Sequence, residues 1–174
     1  MTPARDPYSH LRLGASDDTL EVTTSAEGNR AAAALAGQAR ASVDIVTRDL
    51  DPALYDEPDF LEGLRRLATG SRRARIRILV RDPLPAVRRG HRLLALAARL
   101  PSYISLRVPA TQHQSYNKAF LVADGQGYLY RELADRFEGV ARFNDPAQAR
   151  MLLRDFDDMW EVARLDPNLR QMLV

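Results

Sequence analysis

The sequence predicts an α/β domain built on a mixed, mainly parallel β-sheet flanked by helices, and three observations carry that expectation. Between Val43 and Val108, short apolar strand segments alternate with helical ones, the order of right-handed βαβ units. The continuously apolar run Ala119–Ala123 is joined to Tyr128-Leu129-Tyr130 by Asp124-Gly125-Gln126-Gly127, a loop with hairpin chemistry, so part of the sheet must be antiparallel. A long amphipathic segment follows Asp145.

The elements follow in order. Residues 1–18 read as a flexible N-terminal arm and residues 19–174 as one domain, with Thr19 to Thr23 as a short first strand. Thr24 and Glu27 stand in capping-box spacing before an alanine-rich run, which predicts a closely packed helix over 25–39. A buried strand, Val43 to Val46, comes next. Phe60, Leu61, Leu64, Leu67 and Ala68 share one helical face, and Gly70 is placed to end that helix. Ile76, Ile78 and Val80 then alternate in period two, the mark of a strand. A helix from Ala86 to Leu100 stops against Pro101 and leads into a strand at Ile104 to Val108. After a short strand near Val140 to Phe143, Asp145 can cap a helix that begins at Pro146. Its buried stripe is Ala149, Leu152, Leu153, Phe156, Met159, Trp160 and Ala163.

Composition narrows the function classes. The chain has 174 residues, 45% of them hydrophobic, enough for one real core. Basic and acidic residues nearly balance, 25 against 23, and every basic residue but Lys118 is arginine, which suits planar contacts to phosphate or carboxylate. A net charge of +2 gives little field to steer nucleic acid, a partner class that is disfavoured but stays open. Cysteine is absent, which removes disulfides, thiolate metal sites and a cysteine nucleophile. Met1 to Leu13 has no apolar stretch of signal-peptide length, and no segment approaches the roughly 20 apolar residues of a membrane span, so a cytoplasmic location is expected.

Candidate site residues are few. Arg48-Asp49 and Arg81-Asp82 each follow a parallel strand, at the sheet end where open α/β sheets bind ligands, so the two arginines could converge on one anion. The alternative is that the aspartates start turns and the arginines make surface ion pairs. His10, His91 and His113 lie far apart. His91 reads as a structural residue within a helix, and only His113 has polar context, ahead of Ser115, Asn117 and Lys118. No metal site and no cofactor are expected, because no phosphate loop, nucleophile elbow or metal-ligand spacing occurs. Arg72, Arg73, Arg75 and Arg77 read as a solvated face, as do Arg88, Arg89 and Arg92. Tyr116, Tyr128 and Tyr130 read as core residues.

The stretch NKAFLVADGQGYLYRE, Asn117 to Glu132, resembles the segment of the phospholipase D superfamily that carries its catalytic motif, and FDDMW, Phe156 to Trp160, is similar to that domain's closing helix. The resemblance implies a phospholipase D-like single repeat spanning about Ala31 to Ala163. In active members His-x-Lys-x-x-x-x-Asp places His and Lys on one strand face, where the imidazole attacks phosphorus and the lysine holds phosphate oxygens. This chain departs from the motif in either register. With Asp124 as the Asp, Asn117 stands at the His position and Ala119 at the Lys position. With Lys118 aligned, Tyr116 and Ala123 fall on the His and Asp positions. The Gly-Ser after the next strand falls on Arg131-Glu132.

The expectation is therefore a pseudoenzyme with no catalytic residues. It would bind an anionic or phosphate-bearing ligand, or a protein partner, through Arg48, Arg81, His113, Asn117, Lys118, Asp124 and Arg131. Two alternatives stand beside it. One is an unconventional phosphodiesterase or nuclease using His113 and acting as a homodimer. The other is a structural dimerisation module whose former active-site surface is a two-fold contact.

Overall fold

A computed structural model of the chain describes residues 6–173. One seven-stranded sheet runs through it in the order β1-β7-β6-β5-β2-β3-β4. The strands are β1 (Thr19–Val22), β2 (Ser42–Thr47), β3 (Arg75–Val80), β4 (Ile104–Arg107), β5 (Ala119–Ala123), β6 (Gly127–Arg131) and β7 (Gly139–Arg142). The helices are α1 (Ser25–Gln38), α2 (Pro52–Tyr55), α3 (Pro58–Gly70), α4 (Leu84–Arg89), α5 (Arg92–Arg99), α6 (Pro146–Glu161) and α7 (Pro167–Met172).

The sheet is mixed, but its parallel part is smaller than the mainly parallel sheet expected. Only β2–β3 and β3–β4 are parallel, because only they are joined by helical crossovers. The tight β5–β6 turn and the return to β7 make β5, β6, β7 and β1 antiparallel.

Side chains alternate between two layers. Val43, Ile45, Ile76, Ile78, Leu121 and Leu129 face α1, α3 and α5, while Val46, Leu79, Phe120, Val122 and Tyr128 face α6. The small side chains expected to bring the first helix close do so. A Cβ on Gly63 of α3 would stand 2.9 Å from the Gly37 nitrogen of α1. Thr24 caps α1 as its spacing predicts, accepting from the Glu27 amide at 3.2 Å. Asp145 does the same for α6 through the Gln148 amide.

Two expectations need correction. The described part of the anticipated flexible arm, residues 6–18, packs on the core. Tyr8 and Leu11 are buried, the Leu13 amide donates to Gln38, and the Gly14 amide donates to the Phe143 carbonyl at 2.7 Å. Residues 1–5 lie outside the described residues. The single helix expected over 86–100 is two helices, because Gly90 takes a left-handed conformation (φ +69°) and closes α4. His91 then caps α5, its Nδ1 accepting from the Leu93 amide at 3.1 Å. Among the described residues no helix is long and apolar enough to cross a membrane.

Candidate functional site

The carboxyl ends of β2 and β3 are tied together before their chains diverge. The Arg81 amide donates to the Thr47 carbonyl at 3.1 Å and the Asp82 amide to the Arg48 carbonyl at 2.7 Å. Two arginines are thereby fixed side by side at the sheet end. The segment entering β5 crosses the same end through a short 3-10 turn, Thr111–His113. Arg48, Arg81, His113 and Lys118 consequently line one hollow, with Thr47, Tyr116 and Ala134 among its other walls. Its free volume is about 10 Å³, room for one water.

The hollow is electropositive by construction, since no carboxylate is among its lining residues. Arg81 spends one N–H on the Tyr116 carbonyl, at 3.1 Å, which leaves its charge uncompensated. Arg48 meets only its neighbour Asp49, at 3.3 Å, and its side chain is 42% exposed. Lys118 is exposed and makes no ion pair among the described residues. Asp49 and Asp82 also serve locally: Asp82 accepts from the Leu84 amide at the turn into α4. The Tyr116 hydroxyl donates to Asp155, and burial, reinforced by that carboxylate, raises its pKa well above the ordinary phenol value.

Three of the expected site residues are not among those that line the hollow. Asn117 is exposed and is not part of the hollow's wall, although its carbonyl accepts from the Ala134 amide at 2.7 Å. Asp124 sits at the far end of β5. There its carboxylate accepts the backbone N–H groups of Arg40, Ala41 and Ser42 at 2.8–3.1 Å, anchoring the start of β2. An open groove of about 690 Å³ lies at that end, bordered by Arg12, Arg40 and Asp124. Arg131 is 2% exposed, on the face of the sheet opposite Phe120, beside the fully buried Tyr55. Burial raises the Tyr55 pKa, and the Arg131 guanidinium opposes the rise.

One polar cluster escaped the sequence reading. Arg77, expected on a solvated face, is largely buried and bridges Asp44 at 2.7 Å and Asp157 at 3.0 Å. Its guanidinium lies 4.6 Å from the Phe156 ring centre. Burial pushes the Asp44 carboxyl above its ordinary pKa, while Arg77 pulls it back. The missed signal was the aspartate itself, set inside the apolar run of β2 where only a paired charge is tolerated. Tyr128 is buried and Tyr116 and Tyr130 half-buried against the α6 face, as expected. No cluster of three or more His, Asp or Glu able to hold a metal ion occurs among the described residues.

The architecture is that of the phospholipase D fold. The chain superposes on NUC of Salmonella typhimurium, a phospholipase D family member, with a TM-score of 0.61 at 15% identity, covering 86% of this chain and 97% of that one. NucT of Helicobacter pylori gives 0.58 at 10% identity over 86% and 99% of the two chains. TrmBL2, an archaeal chromatin protein with a novel mode of DNA binding, gives 0.63 at 13% identity; the match covers 91% of this chain but 57% of TrmBL2. Identities this low show a shared fold and nothing more. No curated protein matches the sequence. Residues 24–172 match one family over nearly the whole described fold, and the chain therefore belongs to the family described as Domain of unknown function (DUF7931).

Proposed function

We propose that this domain is a non-catalytic phospholipase D-like binding domain whose ligand carries a phosphate group. The observation that carries the reading is the gathering of Arg48, Arg81, His113 and Lys118 around one hollow without a carboxylate. An oxyanion at the mouth would meet the exposed Arg48 and Lys118 first, with Arg81 behind them, and charge-assisted hydrogen bonds would hold it. The position at the carboxyl ends of parallel strands is where open α/β sheets bind ligands.

The non-catalytic part rests on the strand. In the register set by Asp124, the family's His and Lys positions hold Asn117 and Ala119, and neither an amide nor a methyl group can attack phosphorus. One observation favours the phosphodiesterase reading: His113 and Lys118 share the hollow despite their broken spacing. Phosphodiester cleavage by a histidine nucleophile also needs a proton donor for the leaving oxygen, and His113 is the only imidazole lining the hollow. His91 has both ring nitrogens engaged, one by the Leu50 carbonyl and one by the Leu93 amide.

Calorimetric titration with inorganic phosphate, a nucleoside monophosphate and single-stranded DNA tests the reading. Saturable binding is expected, weakened about tenfold or more by Lys118→Ala or Arg81→Ala. Bis-nitrophenyl phosphate should survive incubation with the wild type and with His113→Ala alike. Absence of binding to all three probes would remove the proposal, and hydrolysis abolished by His113→Ala would replace it with the phosphodiesterase reading.

A further inference from the structure

Arg131 is buried to 2% exposure, yet it has no acidic partner among the described residues. Its Nη1 donates to the Arg136 carbonyl at 2.9 Å, and the neutral Tyr55 hydroxyl lies beside the guanidinium, but its Nη2 meets no acceptor in hydrogen-bond geometry among the described residues. A buried guanidinium left with a donor unmet is costly, and each such group calls for a reason. The same sheet shows what compensation looks like, since Arg77 has two carboxylates and an aromatic face. Room for Arg131 depends on a glycine: a Cβ at Gly139 would stand 3.0 Å from the Arg131 Cγ and 2.2 Å from the Tyr130 carbonyl oxygen.

The segment 132–138 between β6 and β7 covers this guanidinium through Arg136. It also closes the hollow, because Ala134 is part of the hollow's wall. Apart from the packing of Phe137, its tethers are few. The Ala134 amide is held by the Asn117 carbonyl, the Arg136 carbonyl by Arg131 and the Glu132 carboxylate by the Tyr130 hydroxyl, while the Arg136 amide bonds only within the segment, to the Leu133 carbonyl. A hollow of about 10 Å³ is too small to admit a phosphate while this segment is in place.

We infer that segment 132–138 is a lid over a larger oxyanion site and that Arg131 is its latent ligand. In the closed form the Arg136 carbonyl occupies Nη1. When the lid lifts, the hollow opens, and a phosphate oxygen takes the carbonyl's place and satisfies Nη2. This rests on the reading that phosphate binds at this end of the sheet, and it adds the residue and the motion that would admit it. The required difference in affinity between the two forms comes from the guanidinium, which has only neutral neighbours, the Arg136 carbonyl and the Tyr55 hydroxyl, when closed and an anion when open.

Nuclear magnetic resonance of the Arg131 guanidinium, followed during titration with inorganic phosphate, reads this directly in the unaltered protein. The expected result is a saturable shift of that signal in step with the amides of Arg48, Arg81 and Lys118. Amide exchange at Ala134 and Arg136 should accelerate about threefold or more with phosphate present. Arg131→Met, a swap that keeps the apolar packing, should bind phosphate about tenfold more weakly while its fold is retained. Shifts at the hollow with a silent Arg131 and unchanged exchange would overturn the lid and leave phosphate binding standing; no shift anywhere would overturn both. A second titration with a short oligothymidylate separates the sources. Coincident shifts with phosphate alone assign a free phosphate, and shifts with the oligonucleotide alone assign a nucleic-acid phosphodiester; either supports the lid.

Discussion

Asp124 is the clearest place to separate a structural role from a ligand-binding one. Its carboxylate collects three successive backbone N–H groups, those of Arg40, Ala41 and Ser42, at 2.8–3.1 Å, and its own backbone is left-handed with φ +54°. Hydrogen bonds to a charged group contribute about 1.5–3 kcal/mol, and the site is only half-buried, so water recovers part of the loss. Asp124→Ala should therefore cost about 2 kcal/mol from the lost acceptor. Forcing an alanine into the left-handed region adds about 1 kcal/mol. For a chain of this size a loss of about 3 kcal/mol lowers the melting temperature by about 6–12 °C. Asp124→Asn tolerates the backbone and keeps one acceptor, so it should lose less than half as much. Urea unfolding with fluorescence of the single Trp160 measures both. Phosphate affinity should be unchanged in the Asn variant, because the hollow lies at the other end of β5. A cost below about 0.5 kcal/mol for the Ala variant would refute the anchoring role, and a lost phosphate response in the Asn variant would refute the placement of the site.

Three further outcomes follow from the packing. His91 is buried and held neutral, with burial lowering its pKa; the unfolded chain, near the ordinary value of about 6.5, takes up the proton first as pH falls. Its contribution is therefore complete above that pH and is lost progressively below it, so the wild-type urea midpoint should fall between about pH 7 and 5 more steeply than that of His91→Gln. Equal slopes would contradict this. Arg77→Met strands the buried Asp44 and should cost about 3–5 kcal/mol by chemical unfolding, much of it regained in the Asp44→Val/Arg77→Met double variant. No recovery in the double variant would mean that the guanidinium's packing on Phe156 matters more than the charge. Gly63→Ala drives a Cβ to 2.9 Å from the Gly37 nitrogen and should cost about 1–3 kcal/mol on the same assay, by separating α1 from α3; a neutral result would contradict the tight α1–α3 packing.

Much of the fold was legible in the sequence because period and punctuation agreed. The capping-box spacing at Thr24, the alternation through Ile76, Ile78 and Val80, and the Asp145-Pro146 start each matched a local physical requirement that the structure retains. The break at Gly90 was not legible, because the apolar positions Val87 and Leu94 continue across it as one helical face would. α2 is too short for periodicity to reveal. The burial of Tyr8 and Leu11 depends on long-range contacts with α1 and with Phe143, just after β7, that no local pattern encodes.

The candidate site divides in the same way. Arg48 and Arg81 were found because strand ends are visible in sequence, and the βαβ rule places consecutive ends together. Arg131 was expected beside them, yet period two puts it on the face of Leu129, toward the helices α1 and α3, and the strand pattern already contained that information. That His113 and Lys118 line one hollow was hidden by the 3-10 turn, which folds back a spacing that an extended strand would have held apart.

The most direct test of the central claim is an amide-resolved titration of the full chain with inorganic phosphate. The account expects saturable shifts that cluster at Arg48, Arg81, His113 and Lys118 and leave Arg40 and Asp124 unmoved. Shifts confined to the groove around Arg40 and Asp124, or none at millimolar phosphate, would contradict it.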